Sequence, residues 1–137
     1  YCTYRVGGAA ALFVEARSVA DLEVVAAAVQ VSSLATLIVG KGSNLLVSDR
    51  GFPGIAVHLG ADFEEVTIDA ASATVRAGAA ALLPVVARKS AAAGLTGFEW
   101  AVGVPGSVGG AVRMNAGGHG SDIAANLVRV SRFDLSC

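Results

Sequence analysis

The sequence lacks the residue patterns that build metal sites, disulfide frameworks or catalytic nucleophiles. Its two cysteines, Cys2 and Cys137, stand at the two ends of the chain, and its two histidines have no metal-ligand spacing. No Ser/His/Asp or Cys/His motif is present. We therefore expect no metal and no nucleophile. We interpret the two thiols as free in a reducing cytoplasm, the alternative being a disulfide that joins the two ends.

The sequence also lacks a strong net charge and a long apolar run. The chain has ten Lys and Arg residues and eleven Asp and Glu residues, which gives a net charge of −1. This charge argues against nucleic-acid binding, because that function needs a basic surface. No run of about eighteen apolar residues is free of charge, glycine or proline. No export signal is recognisable. We expect a cytoplasmic protein that does not bind membranes, and the absence of an initiating Met suggests a fragment of a longer chain.

Glycine is abundant in the segment 97–120, read as GFEWAVGVPGSVGGAVRMNAGGHG. Glycine lets the backbone take left-handed angles or approach a ligand closely, and it lowers helix and strand propensity. Phe98, Trp100 and Met114 alternate with these glycines, whereas a flexible linker is rich in Ser and charged residues. The segment therefore predicts irregular backbone wound around a flat or phosphorylated ligand.

A second cluster, Gly40-Lys41-Gly42-Ser43-Asn44, follows the apolar run Thr36–Val39 and precedes Leu45–Val47. This order predicts strand, turn and strand, with backbone N–H groups and Lys41 suited to a pyrophosphate, although a plain β-turn is the alternative. A dinucleotide fingerprint of the Rossmann type needs a third glycine where Leu45 stands. A Walker loop needs an earlier glycine at fixed spacing before the Gly-Lys-Ser/Thr triplet. Both are excluded.

Hydrophobic periodicity predicts an alternation of strands and helices. Ser18 to Asp21 has the spacing of a helix start, and Leu22, Val25, Ala26 and Val29 recur at helical spacing behind it. Short connections favour antiparallel pairing of the strands that follow residue 54, so we expect lobes at 1–54 and 55–137 with a ligand cleft between them. The predicted elements are strands Leu12–Ala16, Thr36–Val39, Ile55–Leu59, Glu65–Asp69, Thr74–Ala77 and Leu127–Phe133, with a helix from Ser18 and another over Ala79–Ala93.

Four single residues attract separate interpretations. His58 lies in a strand pattern and is expected to be structural, whereas His119 is expected to face a ligand. Trp100 is expected in the core. Glu99 is either a buried carboxylate with a raised pKa or one partner of an ion pair with a residue such as Arg5 or Arg113.

The two glycine clusters together are more specific than either alone. VGKGSNLLVSDRGFPG at 39–54 and GLTGFEWAVGVPGSVGGAVRMNAGGHGSDI at 94–123 resemble the flavin-binding part of the UDP-N-acetylenolpyruvoylglucosamine reductase family. Tyr4-Arg5-Val6-Gly7-Gly8-Ala9 resembles the opening motif of that family. The resemblance covers essentially the whole chain. It implies an α+β, two-lobed FAD-binding (PCMH-type) fold, with a small strand-helix-strand N-terminal lobe and a mainly antiparallel α+β second lobe.

The resemblance also implies which residues bind FAD. The opening motif lies beside the flavin pocket, the first glycine turn holds the pyrophosphate, and the second segment wraps the ribityl chain and the isoalloxazine. Two residues depart from the family pattern: Lys41 stands where relatives sometimes carry Gly, and His119 stands where relatives often carry Tyr. The FAD-binding residues implied are Arg5, Val6, Gly7, Gly40, Lys41, Gly42, Ser43, Asn44, Leu45, Val104, Pro105, Gly106, Ser107, Gly109, Gly110, Asn115, Ala116, Gly117, Gly120 and Ile123.

In the family, NADPH reduces the flavin, and hydride then passes to the enolpyruvyl double bond of UDP-N-acetylglucosamine enolpyruvate. The product is UDP-N-acetylmuramate, a peptidoglycan precursor. The arginine, glutamate and serine that carry the chemistry lie beyond the segment matching this chain, so the resemblance implies no catalytic residue here and an inactive fragment. Two alternatives stay open, another PCMH-type FAD oxidoreductase or oxidase, and an interaction domain that has lost its flavin.

Overall fold

The computed structural model describes residues 1–136. The chain divides into two compact units, Tyr1–Ala61 with the residues from Ser131 onward, and Asp62–Val130. Single turns of 3₁₀ helix lie at Ala61–Phe63 and Glu99–Gly103. The other elements are β1 Ala10–Ala16, α1 Val19–Ser32, β2 Thr36–Val39, β3 Phe52–Leu59, β4 Val66–Asp69, β5 Thr74–Ala77, α2 Leu83–Ala92, α3 Val108–Met114, β6 Gly117–Gly118, β7 Ser121–Asp122 and α4 Ile123–Asn126.

The first unit is a three-stranded parallel sheet in the order β1-β3-β2, with α1 connecting β1 to β2. The predicted start of α1 is confirmed. The Ser18 hydroxyl accepts from the N–H of Asp21 at 3.2 Å, and the Asp21 carboxylate accepts from the N–H of Ser18 at 3.1 Å, a capping box. Leu22, Val25 and Ala26 form the buried face of the helix, as their spacing predicts.

The third strand differs from the prediction in length, pairing and unit. β3 begins at Phe52 and pairs in parallel with both β1 and β2, so it is the central strand of the first unit. The sequence predicts Ile55–Leu59 as part of the second lobe, with antiparallel pairing and a boundary after residue 54. The physical reason is burial: Ile55, Ala56 and Val57 are at most 4 % exposed, as expected for a strand with neighbours on both sides.

The second unit opens with the predicted hairpin, β4 paired antiparallel with β5. Its turn is built on Asp69, whose carboxylate accepts from the N–H groups of Ala71 and Ser72 and, at 2.6 Å, from the hydroxyl of Ser72. The hydrogen bond from the Ser72 hydroxyl holds the pKa of the Asp69 carboxyl below its ordinary value of 3.8.

Helix α2 begins later than predicted, at Leu83 instead of Ala79. Pro84 sits in its first turn, where a missing N–H costs nothing, and the residues before it bond elsewhere. The helix ends at Ala92, one residue before the predicted Ala93, and Gly94 follows its C-cap with a φ of +78°. The N–H of Gly94 donates to Ala91 O and that of Leu95 donates to Ser90 O, each at 3.0 Å, which is a Schellman motif.

The glycine-rich segment contains a helix that we did not predict. Glycine propensity argued for irregular backbone, but Val108–Met114 forms α3 and includes Gly109 and Gly110. Close packing explains why a helix forms despite the glycines. A Cβ on Gly109 would stand 2.9 Å from the Ala79 Cβ, so glycine lets α3 approach Ala79 more closely than any other residue could.

The predicted last strand, Leu127–Phe133, is absent, because these residues have no regular secondary structure. Val128 is 95 % exposed, and no strand among residues 1–136 pairs with this run. A strand needs a neighbouring backbone, which sequence propensity does not supply. The core of the second unit lies elsewhere, around Leu83, Ala87, Trp100, Ala101, Ala111 and Ile123.

Candidate functional site

The phosphate loop, which we define as Gly40–Leu45, follows directly from the end of β2 in the first unit. Gly42 is buried and has a φ of +69°. A Cβ at this position would stand 1.8 Å from the Tyr1 carbonyl oxygen, so the N-terminal backbone lies directly on the loop. Only glycine meets both conditions. Leu45–Val47 does not form the strand that we predicted after the loop.

The loop keeps backbone N–H groups available to a ligand. Within the described part of the chain, no protein acceptor takes the N–H of Gly42 or of Asn44. The Gly42 carbonyl, by contrast, accepts from the N–H of Thr3 at 3.2 Å. Gly42 is buried, where backbone N–H groups nearly always have a partner, whereas Asn44 is exposed. An unpaired buried amide in a glycine turn is the kind of donor that anion-binding backbone nests use.

The opening motif packs against the chain that leaves the phosphate loop. Gly7, with a φ of +101°, lies against Val47, since a Cβ on Gly7 would stand 2.4 Å from the Val47 carbonyl oxygen. The N–H of Gly8 donates to Ser48 O at 2.8 Å. Arg5 has a left-handed φ of +53° and is exposed. The structure therefore places Arg5-Val6-Gly7 in the same unit as the phosphate loop, beside the chain that leaves it.

In the second unit, backbone hydrogen bonds hold the segment Val104–Gly110 against the start of α2 and the residues before it. Leu82 and Ser107 form a β-bridge, flanked by hydrogen bonds from Leu83 N to Gly106 O at 3.0 Å and from Val108 N to Ala81 O at 2.9 Å. The N–H of Gly109 donates to Ala79 O at 2.8 Å. These bonds fix the backbone of the segment independently of any ligand.

The same segment also retains unpaired amides. Among residues 1–136, the N–H groups of Gly106, Ser107 and Gly110 have no protein acceptor. The Ser107 hydroxyl, although Ser107 is only 4 % exposed, makes no capping bond to α3. Two glycine-rich segments, one in each unit, thus present unpaired main-chain donors at positions that we predicted to bind FAD.

Asn115 connects two helices through its side chain. It ends α3 with a left-handed φ of +46°, its Nδ2 donates to Asp122 Oδ2 at 3.0 Å, and its Oδ1 accepts from the N–H of Ala124 at 2.9 Å. Asp122 Oδ1 accepts from the N–H of Ala125 at 3.0 Å as the N-cap of α4. Asn115 and Asp122 therefore tie α3 to α4 through side chains.

Three more predicted residues lie around this tie. The N–H of Ile123 donates to Ala116 O at 3.0 Å, and the Ile123 side chain, 5 % exposed, belongs to the core. Gly117 packs against the Asp122 side chain, where a Cβ would stand 2.9 Å from the Asp122 Cβ. The first three amides of α4, those of Ile123, Ala124 and Ala125, are thus paired within the chain.

His119 stands at the tip of the β6–β7 hairpin. His119 and Gly120 form its two-residue loop with φ of +52° and +84°, the combination of a type I′ turn. Its side chain is exposed. Asn-Gly is the usual pair in such turns, so the backbone at His119 is shaped by the hairpin.

The other single-residue interpretations have mixed outcomes. Trp100 is a core residue, 6 % exposed, with its Nε1 donating to Asn126 Oδ1 at 3.0 Å. His58 is buried and structural, since its Nδ1 contacts Val39 O at 2.9 Å. The prediction that Glu99 is a buried carboxylate is wrong, because the residue is exposed. Its carboxylate accepts a hydrogen bond from the N–H of Gly97 at 2.7 Å.

The structure adds facts about thiols, metals and membranes. Cys2 is a free thiol whose Sγ donates to Leu45 O at 2.9 Å, while the prediction for Cys137 lies outside the described residues. Groups of three or more potential metal ligands are absent from the described residues. Of the helices in residues 1–136, none is long and apolar enough to cross a membrane.

Sequence reasoning missed two features next to the predicted site. Asp122 carries a local signal, because an Asp directly before Ile-Ala-Ala-Asn is a recognisable N-cap. The contact of Tyr1 with the phosphate loop carries none, because it joins residues about forty positions apart whose pairing depends on the fold.

Comparison with known proteins identifies the family. The sequence profile described as "FAD binding domain" matches residues 10–133. This chain belongs to the FAD-binding domain family. Within that family it is similar to proteins named UDP-N-acetylenolpyruvoylglucosamine reductase, including one from Synechococcus sp. (strain CC9311) that is 41% identical over 99% of this chain and 43% of its own length. Another, from Trichormus variabilis, is 45% identical over 93% of this chain and 38% of its own length.

A solved structure agrees. The crystal structure of UDP-N-acetylenolpyruvylglucosamine reductase from Thermus caldophilus matches with a TM-score of 0.66 and 34% identity, over 82% of this chain and 38% of that one. The resemblance to the N-terminal FAD-binding portion of these reductases and the expected α+β FAD-binding fold are confirmed. The FAD-binding domain described here spans less than half the length of the relatives it matches.

Proposed function

We propose that this chain binds FAD through main-chain donors of its two glycine-rich segments. The observation that carries the proposal is the set of unpaired N–H groups at Gly42, Asn44, Gly106, Ser107 and Gly110, counted within the described residues. A pyrophosphate is an anion that accepts several such bonds at once, and glycine lets the backbone come within contact distance of it.

The residues divide by what they contribute to holding FAD. The phosphate loop suits the pyrophosphate, because Gly42 and Asn44 offer amides and Lys41 adds a positive charge. Gly106, Ser107 and Gly110 offer donors to the flavin part. Asn115, Ala116 and Ile123 are proposed to support the site by fixing α3, α4 and the hairpin, a role that their internal contacts favour. The remaining predicted residues, Arg5, Val6, Gly7, Gly40, Ser43, Leu45, Val104, Pro105, Gly109, Gly117 and Gly120, are proposed to line the site.

We further propose that the chain serves the reductase reaction in a longer protein. There, FAD would accept hydride from NADPH and supply it to the enolpyruvyl ether of a UDP-sugar in the cytoplasm. What this chain contributes is binding, orientation and exclusion of water, while the cofactor supplies the redox chemistry. The chain on its own is expected to bind FAD without turning over substrate.

Calorimetric titration of the purified chain with FAD tests this function. We expect saturable binding near one FAD per chain, and no FAD-dependent oxidation of NADPH by the enolpyruvyl substrate. Denaturation should release the bound flavin, whereas flavin that stays covalently attached would favour the oxidase alternative. A folded chain that takes up no FAD would contradict the proposal and favour an interaction domain without flavin.

A further inference from the structure

The N-terminal strap, defined as Tyr1–Thr3, lies on the phosphate loop along its length. The N–H of Thr3 donates to Gly42 O at 3.2 Å in the middle of the loop, and Cys2 Sγ donates to Leu45 O at 2.9 Å at its end. The Tyr1 carbonyl group packs against Gly42. A Cβ on Gly42 would stand 1.8 Å from the Tyr1 carbonyl oxygen. The strap therefore restrains the backbone that carries the unpaired amides.

The strap is itself anchored by an aromatic stack on the sheet. The Tyr1 ring lies with its centroid 4.6 Å from that of Phe13 on β1 and 4.6 Å from that of His58 on β3. Phe13 and His58 are 6.3 Å apart at an interplanar angle of 25°, so all three rings form one cluster. Aromatic pairs in this distance range attract each other beyond the area that they bury.

His58 also holds the other end of the loop. Its Nδ1 lies 2.9 Å from the carbonyl oxygen of Val39, the last residue of β2 and the residue directly before Gly40. A carbonyl oxygen only accepts, so Nδ1 carries the hydrogen. Because His58 is 8 % exposed, this bond is shielded from water. One side chain thus connects the start of the phosphate loop to the ring that anchors the strap.

We propose that Tyr1 and His58 are positioning residues that set the affinity of the chain for the pyrophosphate part of FAD. Neither belongs to the FAD-binding residues assigned above, and both act through the backbone of the phosphate loop. His58 fixes Val39, and the Tyr1 stack fixes the strap on Gly42. This proposal rests on the proposed binding of FAD by the chain.

The test compares FAD with riboflavin, which lacks the pyrophosphate and the adenosine, by fluorescence titration of the same chain. Tyr1→Ala removes the stack, and His58→Phe keeps a ring but removes the donor to Val39. We expect each variant to bind FAD about tenfold more weakly and riboflavin within about twofold of the unchanged chain, since loss of one such contact changes an equilibrium by about that factor. Tyr1→Phe, the matched control, keeps the ring and should bind FAD normally.

Each other outcome has a defined meaning. If the unchanged chain binds FAD and both variants bind it equally well, the positioning role is wrong while the proposed function stands. If both ligands weaken in parallel with a fall in melting temperature, the two residues are merely structural. If the unchanged chain binds no FAD, both proposals fail together. Tyr1 is 66% exposed, so Tyr1→Ala keeps the test open even if the His58 variant does not fold.

Discussion

Replacing Gly42 with alanine is expected to weaken FAD binding about 100-fold, with a loss of about 2 to 4 kcal/mol in the free energy of unfolding. Two costs combine. A φ of +69° disfavours any residue with a Cβ, and that Cβ would stand 1.8 Å from the Tyr1 carbonyl oxygen. The strap must then leave the loop, or the loop must change shape. Calorimetry with FAD and thermal unfolding of the same samples measure both effects.

Gly94 offers a matched control for this substitution. Its φ is +78°, close to that of Gly42, but no atom lies within 4 Å of a Cβ built there. Gly94→Ala should therefore cost only the conformational term, about 1 kcal/mol, and leave FAD affinity unchanged. If the two substitutions behave alike, the contact with Tyr1 has no importance for the phosphate loop.

Replacing Asn115 with alanine is expected to lower the free energy of unfolding by about 2 to 4 kcal/mol. The substitution removes the bond to the Asp122 carboxylate and leaves the N–H of Ala124 without its acceptor. It also places alanine at a φ of +46°, a left-handed conformation that asparagine tolerates better than alanine. Chemical denaturation of the variant and of the unchanged chain gives the difference directly.

Asn115→Gly separates the two contributions to this loss. Glycine accepts the left-handed backbone but makes neither side-chain bond, so we expect it to recover about 1 kcal/mol relative to alanine and no more. Full recovery by glycine would mean that the bonds to Asp122 and Ala124 contribute nothing. A loss below about 0.5 kcal/mol in the alanine variant would exclude the tie between α3 and α4.

Features encoded locally could be predicted from the sequence. The capping box of α1 needs only Ser18 and Asp21, three positions apart, and the end of α2 needs only a glycine at Gly94. The hairpin of β4 and β5 likewise follows from two short strand patterns with a turn between them. In each case the energetic cause lies within one turn of backbone.

Features that depend on distant partners could not be predicted. The short connections after residue 54 predict antiparallel pairing for Ile55–Leu59, yet β3 pairs in parallel with two strands that precede it in the chain. The low helix propensity of Gly109 and Gly110 predicts no helix at α3. Close packing against Ala79 nevertheless favours a helix made of small residues. The run Leu127–Phe133 has strand propensity and no paired strand among residues 1–136.

The candidate site shows the same division. The glycine motifs located the backbone with unpaired amides, because glycine content and order are visible in the sequence. The internal bonds of Asn115 and the core position of Ile123 were not visible, because both depend on how α3 and α4 pack. The motifs thus predict where the candidate site lies, while the contacts separate unpaired amides from residues that hold the backbone.

The most direct measurement is amide hydrogen exchange of the ¹⁵N-labelled chain, followed by NMR with and without FAD. Exchange at Gly42, Asn44, Gly106 and Gly110 should slow by at least about tenfold in the presence of FAD, because these amides gain acceptors. The amide of Gly109, already bonded to Ala79 O, serves as the internal reference. Unchanged exchange in either glycine-rich segment, with FAD bound, would contradict binding through main-chain donors of both segments.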